Sequence, residues 1–250
     1  MTDPAPGGGD KGSARRTRQM RLTADAVAWQ MPDDRQADVE RHWAVAREKN
    51  GRLFNGTVYV LRTLAVSAAG AAAELVPTEF RQFLYWRDNG YQENGIRDVF
   101  GAAVIRSADD AVLLGRAAAG TMSAARLTFI TGFIDNSDRR PDGTLDLTAS
   151  TARELAEETG LGGRDLRPEP GFVVATSGSL VLLGVVYRSE LTAHALQERM
   201  LRFTRLQATP EIDDVVIIRS PDEIACHPHH QTTRLVLDLL ASDRQERIKP

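Results

Sequence analysis

Apolar residues recur along this chain in two rhythms, and the change from one to the other marks the elements. Between Asp38 and Lys49 (DVERHWAVAREK) Val39, Trp43 and Ala46 fall at helical spacing, which predicts a helix with that side buried. Asn50-Gly51 follows as its stop. Thr57 to Val66 (TVYVLRTLAV) is rich in β-branched residues and predicts a strand, with Ala72 to Val76 as its partner across Gly70. Thr78 to Asp88 predicts a helix capped by Thr78, with Phe80, Phe83, Leu84 and Trp86 as its apolar surface. Further on, Phe100–Ile105 and Ala111–Leu114 predict a hairpin around Asp109-Asp110. Leu127–Ile134 reads as a strand running into a polar loop from Asp135 to Gly143, and then a helix runs from about Thr148 to Thr159. Phe172–Ala175 and Leu180–Tyr187 predict a second hairpin. A helix over 192–206, a strand over 214–218 and a closing helix over 231–240 complete the series. Strands and helices alternate without strict βαβ order, which predicts an α/β fold with a mixed sheet covered by helices.

Residues 1–21 lack such a rhythm. Four glycines and four arginines stand among almost no apolar side chains, so nothing offsets the entropy of ordering, and a disordered basic tail is expected. No apolar run follows the arginines, so a secretory signal is not expected there. The division expected is therefore a tail (1–21), an α+β extension (22–96) and a main domain (97–245). Over all 250 residues, 31 Lys+Arg face 34 Asp+Glu, a net charge of −3, which argues against a dedicated nucleic-acid binder. The most apolar run, Leu180–Tyr187, is far shorter than the ~18 residues a membrane helix needs. A single cysteine, Cys226, allows no intramolecular disulfide and points to a reducing compartment, the cytoplasm.

The chemistry concentrates in Arg153–Leu161, R-E-L-A-E-E-T-G-L. On a helix at about 100° per residue, Glu154, Glu157 and Glu158 share an arc of about 100°. Leu155, Ala152, Ala156, Thr159 and Ala149 are expected on the opposite, sheet-facing side. Three like charges at these spacings repel one another, and they also meet the negative end of the helix dipole. A divalent cation relieves both, since hard cations prefer carboxylate oxygens. Gly160 is placed to stop the helix as a left-handed cap.

This segment resembles the second half of the Nudix box, R-E-U-x-E-E-x-G-U with U a bulky aliphatic residue. Arg153, Glu154, Leu155, Glu157, Glu158, Gly160 and Leu161 occupy all of its defined places. The first half departs from the pattern. A glycine, five residues, a glutamate and seven more residues before the arginine point to Leu145 and Arg139, which do not match. Gly132, Gly143 and Asp146 lie nearby, so the loop carries an insertion. Asp146 either replaces the missing carboxylate or caps the helix.

The resemblance implies an α/β/α sandwich and a pyrophosphohydrolase. Such an enzyme cleaves a nucleoside diphosphate linked to another moiety, with Mg²⁺ or Mn²⁺ held by Glu154, Glu157 and Glu158. Arg153 is expected to orient a glutamate, the alternative being a phosphate contact. Glu211, on the loop before a late strand, is the candidate general base, the alternative being a plain surface glutamate. A shorter resemblance, in His42-Trp43, Arg52–Gly56 and Glu79–Trp86, is to the N-terminal region of Nudix hydrolases that cleave UDP-glucose to UMP and a sugar 1-phosphate. It implies a UDP-sugar as substrate and an extension that completes the nucleotide pocket or forms a homodimer interface. Two other classes stand beside this reading: a non-catalytic nucleotide-binding protein, motivated by the irregular loop, and a hydrolase of an RNA cap, motivated by the basic tail. Arg106 and Arg116 are either phosphate contacts or solvated strand ends. Cys226-His227-Pro228-His229-His230 is read as a loop and helix start rather than a zinc site, because no second group completes four ligands.

Overall fold

A computed structural model describes residues 12–92 and 95–248, the side chains of 247 and 248 excepted. The first strands are β1 (Ser13–Thr17) and β2 (Met20–Ala24). Helix α1 (Gln36–Lys49), β3 (Thr57–Val66), β4 (Ala71–Glu79) and α2 (Phe80–Asp88) follow. Then come β5 (Asp98–Arg106), β6 (Val112–Ala117), β7 (Leu127–Thr128), β8 (Ile130–Gly132), β9 (Thr144–Leu145) and α3 (Leu147–Thr159). The chain ends with β10 (Leu166–Pro168), β11 (Phe172–Ser177), β12 (Leu180–Ser189), α4 (Ala193–Thr204), β13 (Ile212–Ile218) and α5 (Gln231–Ile248).

The larger sheet runs β1-β11-β12-β5-β6-β13, with β10, β7 and β8 paired to β12, β6 and β5 respectively. It is mixed, since β12 and β5 are parallel while β11–β12 and β6–β13 are antiparallel. Helices α3 and α4 bury Leu155, Leu196 and Met200 on one face, against Val99, Ala103 and Val185. Helix α5 buries Val236, Leu237 and Leu240 on the other, against Ala102, Val104 and Leu182. The fold is thus the expected α/β class, a mixed sheet between helical layers. A smaller sheet, β3-β4-β2-β9, lies beside the α3 face, and its Leu22, Tyr59, Leu61 and Leu75 join the same core as Val99, Leu145 and Leu155. The segments expected as extension (22–96) and main domain (97–245) therefore share one apolar interior. A second cluster, including Phe80, Phe83, Trp86 and the partly buried Trp43, lies under α1 and α2, with Phe133 edge-on to Phe80 and Phe83 at 5.8 and 5.3 Å.

Several expectations change on contact with the fold. The tail expected over 1–21 is ordered from residue 12. Strand β1 pairs with β11, Arg16 forms ion pairs with Asp243 and Glu169, and Thr17 is buried. Tertiary partners supply what local composition lacked, as an edge strand can borrow a ready-made ladder. Residues 1–11 lie outside the described part. Thr78 remains in β4 opposite Val58, and α2 starts after Glu79 with no side-chain cap. The single strand expected over 127–134 breaks at Phe129, because β7 pairs with β6 and β8 with β5. Among the described residues no helix is long and apolar enough to cross a membrane.

Candidate active site

Helix α3 is fixed at both ends by its own sequence. At its start the Asp146 carboxylate accepts the Ala149 N–H at 3.0 Å. Its end is Gly160, at φ 67° in the left-handed region, whose N–H bonds to the Ala156 carbonyl. The side turned to the sheet carries Leu147, Ser150, Thr151, Leu155, Glu158 and Thr159, while Ala149, Ala152 and Ala156 are exposed. This corrects the expected facing. The buried stripe is rotated toward the glutamates, so Glu158 lies inside its border and Glu154 on it.

Glu158 is 7% exposed, and no hydrogen bond or ion pair with a basic group holds its carboxylate among the described residues. Burial, with the charges of Glu211, Glu154 and Glu157 adding to it, pushes its carboxyl up to about 9. Burial likewise raises Glu154 to about 7; Arg153 opposes the shift, and Glu157 and Glu211 reinforce it. The structure therefore brings Glu211, from the turn before β13, to the helix glutamates. Its carbonyl is held by the Ala118 N–H at 2.8 Å, and Gln207 on the same connection donates to the Glu157 carbonyl at 2.6 Å. Glu157 itself is largely exposed.

Glu154 lies across the backbone of β8. A methyl group on Gly132 would run into its Cγ, Cδ and Oε1, so this strand position must stay bare for the carboxylate to rest there. Arg153 faces the carboxylates. Its guanidinium donates to Glu154 Oε1 at 2.6 Å, stands 3.7 Å from Glu157, and reaches both oxygens of Asp138 at 3.4 Å and Asp135 at 3.8 Å. Arg153 is thereby tied to Glu154 on one hand and to Asp138 and Asp135 on the other.

Asp138 was missed by sequence reasoning. Its side chain is 3% exposed beside Arg153. The signal was present, because five residues separate Gly132 from Asp138, the spacing of the first half of the box with aspartate for glutamate. Fourteen residues then separate Asp138 from Arg153 where the pattern has seven. The additional stretch, 139–145, is a closed hairpin. Arg139 bridges Leu145, Arg140 N–H bonds to the Thr144 carbonyl at 2.8 Å, and Gly143 turns at φ 83°. Immediately after it, Asp146 N–H returns to the Asp138 carbonyl at 2.8 Å. Asp146 is thus the helix cap, ion-paired with Arg140, and Asp138 is the buried carboxylate beside Arg153.

Three other candidates have partners of their own. Arg106 is buried and ion-paired with Glu169 and Asp110, and Arg116 pairs with Asp214. In the Cys226–His230 segment, His229 Nδ1 lies 2.7 Å from the His227 carbonyl and Cys226 Sγ reaches the Glu223 carbonyl. Among the described residues no three His, Cys, Asp or Glu side chains are gathered closely enough, as they stand, to hold a metal ion. Two shallow surface hollows, one on the outer face of α4 and one on the outer face of the small sheet, include none of these carboxylates. The donor chemistry nonetheless fits a hard divalent cation. The charges of Glu154, Glu157 and Glu211 all disfavour ionisation of Glu158, no basic group among the described residues pairs with Glu158, and Glu157 is exposed beside Arg153.

No family model matches the chain, and no curated protein does. Among solved structures, RenU, a Nudix hydrolase from M. smegmatis, is similar with a TM-score of 0.40 and 15% identity over 62% of this chain and 89% of that one. The MutT protein of Methanosarcina mazei Go1 gives 0.39 and 18% over 61% and 96%. The Bacillus subtilis pyrophosphohydrolase BsRppH gives 0.36 and 15% over 60% and 82%. Values this low leave the chemistry to be read from the chain's own residues.

Proposed function

We propose that this protein is a Nudix-type hydrolase, dependent on a divalent metal ion, that cleaves a phosphoanhydride in a nucleoside diphosphate linked to a second group. The observation that carries the reading is Glu158, a buried carboxylate with no basic partner among the described residues, whose ionisation is opposed by the charges of Glu211, Glu154 and Glu157. Burial of an unpaired carboxylate is costly, and a bound cation turns the cost into affinity. Glu154, Glu157 and Glu158 would hold Mg²⁺ or Mn²⁺, which supplies charge neutralisation on the diphosphate and a lowered pKa for the attacking water. Arg153, balanced by Asp138 and Asp135, keeps Glu154 over Gly132. Glu211 takes the proton from the attacking water as general base. The N-terminal resemblance makes a UDP-sugar the proposed substrate, and the single free Cys226 makes the cytoplasm the proposed compartment.

The test is a panel of nucleotide substrates with Mg²⁺ and product identification, comparing wild type with Glu157→Gln and Glu158→Gln. Turnover by wild type, with losses of about 10²-fold or more in the variants, is expected. Equal turnover by all three excludes this site. Nucleotide binding in calorimetry, without product under any metal, replaces the enzyme with a binding protein.

A further inference from the structure

We infer that the N-terminal layer completes the carboxylate site, with Tyr59 of β3 as its positioning residue. The inference rests on the metal-dependent reading above. Tyr59 is 1% exposed, yet its hydroxyl does not end in the core; it donates to Asn136 Oδ1 at 2.7 Å. Asn136 opens a single tight turn, Asn136–Asp138, whose flanks are locked. The Asp135 carboxylate accepts from the backbone and hydroxyl of Ser137 at 2.7 and 2.6 Å, and the Asp138 carboxylate accepts the Asp135 N–H at 3.1 Å. The same layer grips the segment at two further points, where Val58 bridges Asp135 and β2 pairs with β9 through Leu22–Leu145 and Thr23–Thr144.

The turn and its cap, Asp138 and Asp135, supply both aspartates that pair with the Arg153 guanidinium, which also donates to Glu154. Tyr59 thus reaches Arg153 and Glu154 through two sets of polar contacts, Tyr59–Asn136 on one side and Asp135 and Asp138 with Arg153 on the other, joined by the backbone of the segment 135–138. Together they link a strand outside the box helix to a carboxylate of the site. A four-residue segment, 135–138, with a carboxylate at each end would otherwise drift with its solvent-exposed side, and Arg153 would follow whichever aspartate moved. The tyrosine is suited to the task. Its ring is held by the core it shares with Leu61 and Leu145, so its hydroxyl is a fixed donor.

The experiment is Mn²⁺ binding followed by electron paramagnetic resonance on folded full-length protein, for wild type, Tyr59→Phe, Asn136→Ala and the double variant. Amide hydrogen exchange at Ser137 and Asp138 is read on the same samples. Tyr59→Phe keeps the ring and removes only the donor. Its Mn²⁺ dissociation constant is expected to rise about 3–10-fold, somewhat less than the ~10–100-fold typical when a direct partner of a ligand is lost. Exchange at Ser137 and Asp138 should quicken, and the double variant should be no worse than either single one, because both break the same link. Wild-type affinity in Tyr59→Phe, or additive losses in the double variant, overturns this inference while leaving the metal site standing. A wild-type protein that takes up no Mn²⁺ overturns the proposed function itself, whatever the tyrosine variant does.

Discussion

Gly132→Ala separates the site from the fold more sharply than substituting a carboxylate does. Gly132 lies in β8 opposite Gly101, outside the left-handed region, so alanine suits its backbone. The nearest atoms the added methyl would meet all belong to the Glu154 side chain laid over it. That side chain is partly open to solvent and can swing away. The folding cost is then a displaced rotamer and one lost charge-assisted bond to Arg153, about 2–4 kcal/mol together. The consequence for chemistry is larger. A displaced Glu154 withdraws one donor from the site and leaves the Arg153 guanidinium to collapse onto Asp138, so Mn²⁺ affinity should fall about 10–100-fold and turnover with it. Urea unfolding and Mn²⁺ titration on the same preparation give both numbers. Near-native affinity in Gly132→Ala would refute the reasoning, because it would mean that Glu154 has no need of its place over β8.

Three further outcomes follow from the same contacts. Glu158→Gln should stabilise the metal-free protein by about 2–3 kcal/mol at pH 7 while abolishing turnover. The folded state holds the Glu158 proton up to about 9, so wild-type stability declines as pH climbs from the ordinary glutamate range, a slope that urea titrations should show flattened in the variant. Asp98, buried and raised to about 6 by that burial against the bond from Tyr91, works the same way over a lower range: Asp98→Asn should be about 1–2 kcal/mol more stable than wild type at pH 8 and no more stable at pH 4. Asp146→Ala should cost about 0.5–2 kcal/mol by loss of the helix cap with Mn²⁺ affinity nearly unchanged, whereas Asp138→Ala should reduce affinity; the reverse order would return the box position to Asp146.

What could be read from the sequence follows the range of the forces involved. Helix α3, its Gly160 stop and the glutamate spacing are local, and the periodicity that reveals them is set within one or two turns. The strand Thr57–Val66 was legible for the same reason, since β-branched residues crowd it. Strand β1 was not. Its five residues, SARRT, have no apolar alternation, and they are ordered by Arg16 meeting Asp243 and Glu169 from far along the chain. The buried side of α3 was legible only in part: Leu155 and Thr159 are buried as expected but Ala149, Ala152 and Ala156 are not, because alanine counts as apolar in a pattern but contributes little burial. The sheet took Leu147, Thr151 and Leu155, and Glu158 went in with them.

The interrupted box shows why a motif should be sought in space rather than along the chain. An insertion disturbs a site only if it moves its two ends apart. Here the seven residues 139–145 leave and return at adjacent points: Arg139 faces Leu145, and the next residue, Asp146, bonds back to Asp138. Closing so short a loop costs little, and its far end is anchored by the β2–β9 pairing. Asp138 and α3 therefore keep the relation they would have without the hairpin, and Arg153 can bridge them across fourteen residues as it would across seven. The anchoring changes one dependency. The segment 135–145 is held by Tyr59, Val58 and β2 as well as by its contacts with α3. The N-terminal strands cannot be removed without releasing the turn that positions Arg153.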